Sequence, residues 1–213
     1  MDFKMSKKDL KLKINEKSYL TKLSQNWLDV LVPFSYEYNR KFSGSEVSRI
    51  SGIPQKSASR YLNKLVNDGI LNLEVRGNSN FYFLDLSDER IKLILNLIES
   101  YKSFIFSKNN FLWKDLKELI PFGTIVLFGS HVKGNSNSSS DIDLVIFSKK
   151  SKKLKDALRL VPKVQAQIVS FEKFEKLVFE RDTLALEIIN NHVLFGDLDK
   201  FIDLCRRFYD GKS

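Results

Sequence analysis

Residues 129–144, which read GSHVKGNSNSSSDIDL, place the tightest constraint on how this chain can fold. A continuous apolar run, Thr124–Phe128, precedes them and predicts a buried strand. Residues 141–147 predict a second strand, with Ile142, Leu144 and Ile146 toward the core and the alternate positions on the other face. Only twelve residues, 129–140, separate the end of one strand from the start of the next, so the two strands should belong to one sheet.

The residue types in this segment indicate where charge would be bound. Asp141 and Asp143 are two positions apart on a strand, so both carboxylates point to one face and can hold one divalent metal ion. Gly129 permits a sharp turn, and Ser130 is placed to cap the short helix that follows. Free backbone N–H groups at such a turn bind phosphate, and Lys133 is close enough in sequence to reach the same charge.

The pattern of Gly129-Ser130, a ten-residue gap and Asp141-x-Asp143 resembles the DNA polymerase beta-like nucleotidyltransferase superfamily, in particular its minimal members. The resemblance extends over roughly residues 110–200. It implies an α+β fold in which a mixed β-sheet is flanked by helices. It also implies transfer of a nucleoside monophosphate from ATP or another nucleoside triphosphate to an acceptor, with Mg²⁺ or Mn²⁺ bound and pyrophosphate released.

The resemblance also assigns roles to individual residues. Asp141 and Asp143 would be the metal ligands and the catalytic residues. The nucleotide would be bound by four residues of the same segment, namely Gly129, Ser130, Lys133 and Ser140. His131 is expected to point to solvent.

One position departs from the family pattern, which has a third carboxylate on a following strand. The next predicted strand, residues 163–169, offers only Gln165 or Gln167 there, and a neutral amide cannot act as a carboxylate base. The nearest acids, Asp156 and Glu172, belong to flanking helical stretches. Two alternatives stay open: an acceptor protein or a second subunit supplies the missing group, or the domain binds a nucleotide without catalysis.

The first part of the chain, residues 23–86, shows a different pattern: a helix, a short helix, a third helix and a hairpin. The third helix is predicted at Gln55–Asn67, and strand-like runs follow at residues 70–75 and 81–86. This arrangement resembles the winged helix-turn-helix family, with SGSEVSRISGIPQKSASRYLNKLVNDGIL as its central signature.

On that resemblance the third helix would enter the major groove of DNA. Lys56, Arg60 and Lys64 recur every four residues and share one face, with Ser57 beside them and Arg76 in the wing. These side chains suit contacts to phosphates and bases. A solvated outer helix face has the same composition, so nucleic-acid contact and a plain surface both stay open.

Size and composition bound the remaining choices. The chain has 213 residues, a net charge of +9 and a single cysteine, Cys205, which excludes an internal disulfide and favours the reducing cytoplasm. We expect neither a membrane span nor a signal peptide. Three segments are predicted: a basic N-terminal segment at 1–20, a winged helix-turn-helix domain at 21–89, and a linker helix with the nucleotidyltransferase-like domain at 90–213.

The partners follow from these two resemblances. The leading hypothesis is an enzyme that transfers AMP to a protein or nucleic-acid acceptor, as antitoxins of the minimal nucleotidyltransferase type do to a toxin partner, with DNA bound by the winged helix. The alternative is a catalytically inactive, DNA-binding transcription regulator. The linker helix packs within the chain or against a second copy, and a homodimer is therefore a further candidate assembly.

Overall fold

The fold is described from a computed structural model, in which residues 25–137 and 139–211 are placed. The predicted basic segment at 1–20 lies outside the described residues. In the first half, the elements are α1 (Gln25–Leu31), a 3₁₀ turn (Val32–Ser35), β1 (Phe42–Ser43), α2 (Gly44–Ser51), α3 (Gln55–Asn67), β2 (Asn72–Arg76) and β3 (Ser79–Phe83). They are followed by α4 (Ile91–Asn109), α5 (Trp113–Leu116), a 3₁₀ turn (Lys117–Phe122), β4 (Thr124–Phe128), α6 (Ser130–Lys133), β5 (Ile142–Phe147), α7 (Lys152–Arg159), β6 (Val164–Val169), α8 (Phe171–Phe179), α9 (Thr183–Asn190), β7 (Val193–Phe195) and α10 (Asp199–Asp210).

Local sequence signals explain the two helices that precede the small sheet. Ser43 begins α2 with a capping box, in which its Oγ accepts from the backbone N–H of Glu46 and the Glu46 carboxylate accepts from the backbone N–H of Ser43. Gly52, in the left-handed conformation, ends α2. The third helix keeps the predicted bounds, Gln55–Asn67, and buries Ala58 and Leu62.

The two strands of the hairpin lie closer to the turn than the predicted strands at 70–75 and 81–86. Arg76 pairs with Ser79, so the turn consists of Gly77 and Asn78 alone, and Gly77 has a φ of 57°. Two-residue turns with positive φ are those that fit the twist of a hairpin. A short strand that the sequence did not indicate, β1, pairs with β3 and makes a three-stranded antiparallel sheet of order β1-β3-β2.

The connecting helices follow the hairpin after a short turn. Ser87 and Asp88 belong to a turn, and α4 starts at Ile91 with no side-chain cap. The next helix, α5, is a single turn that continues as a 3₁₀ turn containing Pro121. Proline lacks the N–H that an α-helix would need at that position.

The second half is built on a four-stranded mixed sheet of order β6-β5-β4-β7. β4 is antiparallel to both β5 and β7, whereas β6 runs parallel to β5. Helices cover both faces, so the predicted α+β class with a mixed sheet flanked by helices is confirmed.

Both faces of this sheet carry a core, which corrects the expectation that only one face of β5 would be buried. Leu144 and Ile146 pack into one cluster with Leu116, while Val145 is 2% exposed and packs into the other. That second cluster is continuous with the core of the first half, where Val30 belongs to it. A central apolar strand buried on both faces is typical of a sheet covered by helices on each side.

A buried polar network lies where α4 meets both halves. The Glu99 carboxylate accepts from Tyr38 Oη at 3.0 Å, lies 3.1 Å from His192 Nε2, and forms an ion pair with Lys102 at 2.7 Å. The Nζ of Lys102 also donates to Ser35 Oγ at 3.2 Å. Burial alone would raise the pKa of Glu99, but Lys102 and His192 outweigh burial and lower it to about 2. The carboxylate is therefore ionised and joins residues far apart in sequence.

One face of α4 packs within the chain, and another is open. Leu93 and Phe104 are 73% and 60% exposed, whereas Leu95 and Ile98 are fully buried. Packing within the chain thus accounts for the buried side, and a homodimer through the open side stays a prediction. Among the described residues, every helix is too short or too polar to cross a bilayer.

Candidate active site

The turn after β4 brings the backbone against one of the two aspartates. Gly129 has a φ of 74° and a ψ of −149°, and a Cβ placed on it would collide with the Asp143 carboxylate. Phe128 and Asp143 are paired across β4 and β5, which sets this approach. Glycine is required here both for its backbone conformation and for its missing side chain.

The short helix that follows starts without a side-chain cap. Gly129 occupies the N-cap position, and Ser130 is the first helical residue and makes no capping hydrogen bond. The expectation that Ser130 caps the helix was therefore wrong, because the turn is one residue earlier than predicted. Gly129 instead contributes its carbonyl, which accepts from the N–H groups of Val132 and Lys133.

The two aspartates lie at the start of β5, beside this turn. Asp141 immediately precedes the strand and is exposed, while Asp143 is its second residue and is half-buried. Burial raises the pKa of Asp143, the negative charges of Asp141 and Glu187 raise it further, and His131 lowers it. Several acids that repel one another in this way form a site that a cation would stabilise.

The neighbouring strand has amides where an acid would complete the site. β6 pairs with β5 so that Gln165 lies opposite Asp143 and Gln167 opposite Val145. Paired residues of parallel strands share a face, so both exposed glutamines lie on the Asp143 side of the sheet. Asp156 and Glu172 lie in α7 and α8, as expected.

Glu187 is the site residue that the sequence analysis missed. It is half-buried on α9, and its Oε1 lies 2.7 Å from the Nζ of Lys133, the last residue of α6. Glu187 is the one charged residue in the helix sequence TLALEIIN. A lone acid in an otherwise apolar helix is the signal that pointed to it, but its contact with the turn depends on how α9 packs.

The comparisons with known proteins concern this half of the chain. Residues 111–204 match the family model for the nucleotidyltransferase domain. Comparison with the curated proteins and with the solved structures finds no match. The matched range includes the Gly129 turn, both aspartates and Glu187, and it confirms the nucleotidyltransferase resemblance there. The winged helix-turn-helix resemblance lies outside the match and stays a prediction.

Two other predicted positions of the nucleotidyltransferase domain have partners of their own. Ser140 Oγ accepts from the backbone N–H of Asn137 at 2.9 Å, which holds the end of the loop before the aspartates. His131 does not point fully to solvent, which corrects that expectation: its Nε2 is buried and has no hydrogen-bond partner among the described residues. It lines a cavity of about 300 Å³ between α4 and the first half.

The donor set of the nucleotidyltransferase domain fits a divalent metal that also binds phosphate. Among the described residues, no three acids, histidines or cysteines are grouped closely enough to enclose a metal ion by themselves. Mg²⁺ is commonly held by one or two carboxylates, with waters and substrate phosphates completing its coordination. Asp141 and Asp143 supply that number of carboxylates beside a turn suited to phosphate.

The candidate nucleic-acid residues lie together on α3, except for Arg76. Lys56, Ser57, Arg60 and Lys64 line one surface depression of about 720 Å³, which Asn63 also lines. The Lys64 ammonium is paired with Asp68 at 2.6 Å. Arg76 ends β2, where its Nε donates to Glu74 and its guanidinium stacks 5.5 Å from the ring centroid of Phe81. The four α3 side chains thus form one surface, and Arg76 belongs to the hairpin.

Proposed function

We propose that this chain is a metal-dependent nucleotidyltransferase that transfers AMP from ATP to a protein or nucleic-acid acceptor. One observation carries the proposal: the Asp143 carboxylate lies against the Gly129 turn, with Asp141 two residues before it. The proposed metal ligand therefore lies beside the backbone that is proposed to bind phosphate. The family match to residues 111–204 supports a general role in nucleotidyl transfer.

Different residues of the proposed site would bind the metal and the phosphates. Asp141 and Asp143 would hold Mg²⁺ or Mn²⁺, which would supply Lewis-acid stabilisation of the phosphate charge. Gly129 and Ser130 bind the β- and γ-phosphates, Lys133 neutralises part of their charge, and Ser140 orders the loop above them. The acceptor hydroxyl forms a bond to the α-phosphorus, the bond to the bridging oxygen breaks, pyrophosphate leaves, and the hydroxyl proton passes to water.

The first half is proposed to be a winged helix-turn-helix that binds DNA. The support is the succession of α2, α3 and a hairpin, together with the exposed Lys56, Arg60 and Lys64 on α3. Basic side chains on one helix face release counterions when they meet phosphates.

The most specific form of the proposal is an antitoxin-like protein in the cytoplasm that modifies a toxin partner. It is supported by the resemblance to minimal nucleotidyltransferases and by the joining of such a domain to a candidate DNA-binding part. Purified chain incubated with radiolabelled ATP and candidate acceptors would identify the labelled species.

A second candidate function is a regulator that binds nucleotides without catalysis. It is favoured by Gln165, the neutral residue opposite Asp143. In that case ATP would change the affinity for DNA, and no acceptor would be labelled.

The test of the proposal is calorimetric titration of ATP into the chain with Mg²⁺ or Mn²⁺. We expect metal-dependent binding that the Asp141→Asn/Asp143→Asn double variant loses, with its folding checked by circular dichroism. Lys108→Ala, an exposed change at the C-terminal end of α4, serves as the control and should bind as the wild type does. Absence of binding with either metal would overturn the nucleotide site in both candidate functions.

A further inference from the structure

The candidate metal site has two carboxylates and lacks a third. Asp141 and Asp143 contribute two negative charges, and the position opposite Asp143 is occupied by the neutral Gln165. The affinity of carboxylate sites for divalent cations increases with the number of charged ligands. A third carboxylate near Asp143 would therefore strengthen cation binding.

Glu187 is placed to be that carboxylate. It projects from α9, whose Ala185 and Ile188 pack in one core cluster with Val145, on the face of the sheet that carries Asp143. Its side chain is 36% exposed and is bound by Lys133, whose own side chain is 41% exposed. Ion pairs that remain this accessible to water are weak.

Lys133 connects Glu187 to the phosphate-binding turn. It ends the four-residue helix that Gly129 begins, and its backbone N–H donates to the Gly129 carbonyl at 3.1 Å. A triphosphate bound at this turn offers several negatively charged oxygens to the Lys133 ammonium. It therefore competes with the Glu187 carboxylate for Lys133. A stronger anion would then replace the Glu187 carboxylate as the partner of Lys133.

We propose that Glu187 is a nucleotide-released metal ligand: the triphosphate takes Lys133, and the freed carboxylate joins Asp141 and Asp143 on the divalent cation. This inference rests on the proposed function. In the structure, Lys133 holds the Glu187 carboxylate as its ion-pair partner at 2.7 Å. Release of Glu187 by the nucleotide makes metal and nucleotide binding cooperative, since each favours the arrangement that the other needs.

The test measures Mn²⁺ affinity by electron paramagnetic resonance, with and without a non-hydrolysable ATP analogue. In the wild type, the analogue should strengthen Mn²⁺ binding. Glu187→Gln should weaken Mn²⁺ binding in the presence of the analogue by about tenfold and reduce the cooperativity. Glu180→Gln, an exposed acid that ends α8 and pairs with Lys176, is the matched control and should bind as the wild type does.

Moving the carboxylate to another position distinguishes two roles of Glu187: binding the metal, or only positioning Lys133. Gln165→Glu places a carboxylate opposite Asp143, so the Gln165→Glu/Glu187→Gln double variant should regain most of the lost Mn²⁺ affinity. If Glu187 only held Lys133, then Lys133→Gln would reproduce the effect of Glu187→Gln, and the swap would restore nothing. That result would overturn the inference.

The remaining outcomes are also decisive. Metal-dependent nucleotide binding in the wild type, with unchanged Mn²⁺ affinity in Glu187→Gln, would overturn this inference and leave the proposed function standing. Absence of metal-dependent nucleotide binding in the wild type would overturn both.

Discussion

At the scale of single residues, the backbone of Gly129 lies against the carboxylate of Asp143. Its φ of 74° disfavours any side chain, and the Asp143 carboxylate occupies the space that a Cβ would need. We expect Gly129→Ala to lower the free energy of unfolding by about 1–3 kcal/mol and to displace Asp143. Urea unfolding measures the first effect, and loss of metal-dependent ATP binding measures the second.

Gly134 provides the matched control for that substitution. Its φ is 73°, and a Cβ there would meet no atom within 4 Å in the described structure. Gly134→Ala should therefore show only the conformational cost and keep ATP binding. Equal loss of binding in the two variants would show that the Gly129 contact with Asp143 has no special role.

The charge of Asp141 leads to a prediction about pH. The pKa of Asp143 is raised by burial first and by Asp141 next. An acid with a raised pKa in the folded state lowers stability as the pH rises through that pKa, because the folded state holds the proton more tightly than the unfolded chain does. Asp141→Asn should therefore increase the free energy of unfolding at neutral pH, by no more than about 1 kcal/mol at this partly exposed site.

The sign of that effect can be checked by urea unfolding at two pH values. The increase in the free energy of unfolding should be present at about pH 7. It should vanish below the unfolded-state pKa of about 3.9, where Asp143 is protonated in both the folded and the unfolded chain. A variant that fails to fold would show that Asp141 serves the structure and is not a functional acid.

Sequence alone could predict the local part of this site and not the rest. Gly129, Asp141 and Asp143 lie at the ends of two adjacent antiparallel strands, so their spacing predicts that they meet. Glu187 reaches the same place from a helix far along the chain, and its distance from Lys133 depends on the packing of α9. The buried Nε2 of His131 likewise depends on contacts with other elements.

At the scale of elements, α3 offers the surface that tests nucleic-acid binding. Lys56 and Arg60 are exposed, whereas Lys64 and Arg76 are already paired with Asp68 and Glu74. If the face binds duplex DNA, Lys56→Ala and Arg60→Ala should each reduce the slope of log affinity against log salt by about 0.9.

Fluorescence anisotropy over a range of salt concentrations measures that slope. Lys108→Ala removes an equal charge away from α3 and should leave it unchanged. If the α3 variants and Lys108→Ala changed the slope equally, binding would come from the overall charge of the chain, and the proposed role of α3 would be wrong.

The elements themselves were predicted with uneven success, for physical reasons. The bounds of α3 follow from an apolar stripe with clear ends, and β4 from a run of five apolar residues between glycines. Strand β1 has only two residues, Phe42 and Ser43, which is too short to show a period. The start of α4 has no clear sequence signal, because Ser87 and Asp88 form a polar turn whose composition also suits a helix N-terminus.

At the scale of the whole molecule, one continuous apolar cluster joins the two halves, so we expect them to unfold together. The two tryptophans report on this separately: Trp27 is 8% exposed in the first half, and Trp113 packs 5.3 Å from the ring centroid of Phe195 in the second. Trp113→Phe and Trp27→Phe each leave one probe. After allowance for the stability of each variant, the fluorescence and circular dichroism transitions should coincide.

Separate transitions for the two probes would contradict this expectation. They would show that the Glu99, Lys102 and His192 network and the apolar contacts around it are too weak to couple the halves. In that case, the predicted boundary near residue 90 would also mark an energetic boundary.

The continuous core has a consequence for how such a chain can change over generations. If the two halves unfold together, a substitution that loosens the packing of the first half also destabilises the second, because both depend on the same folding free energy. The two halves are then exposed to selection together, even at positions far from either proposed binding surface. Variation tolerated by one half is limited by what the other can lose.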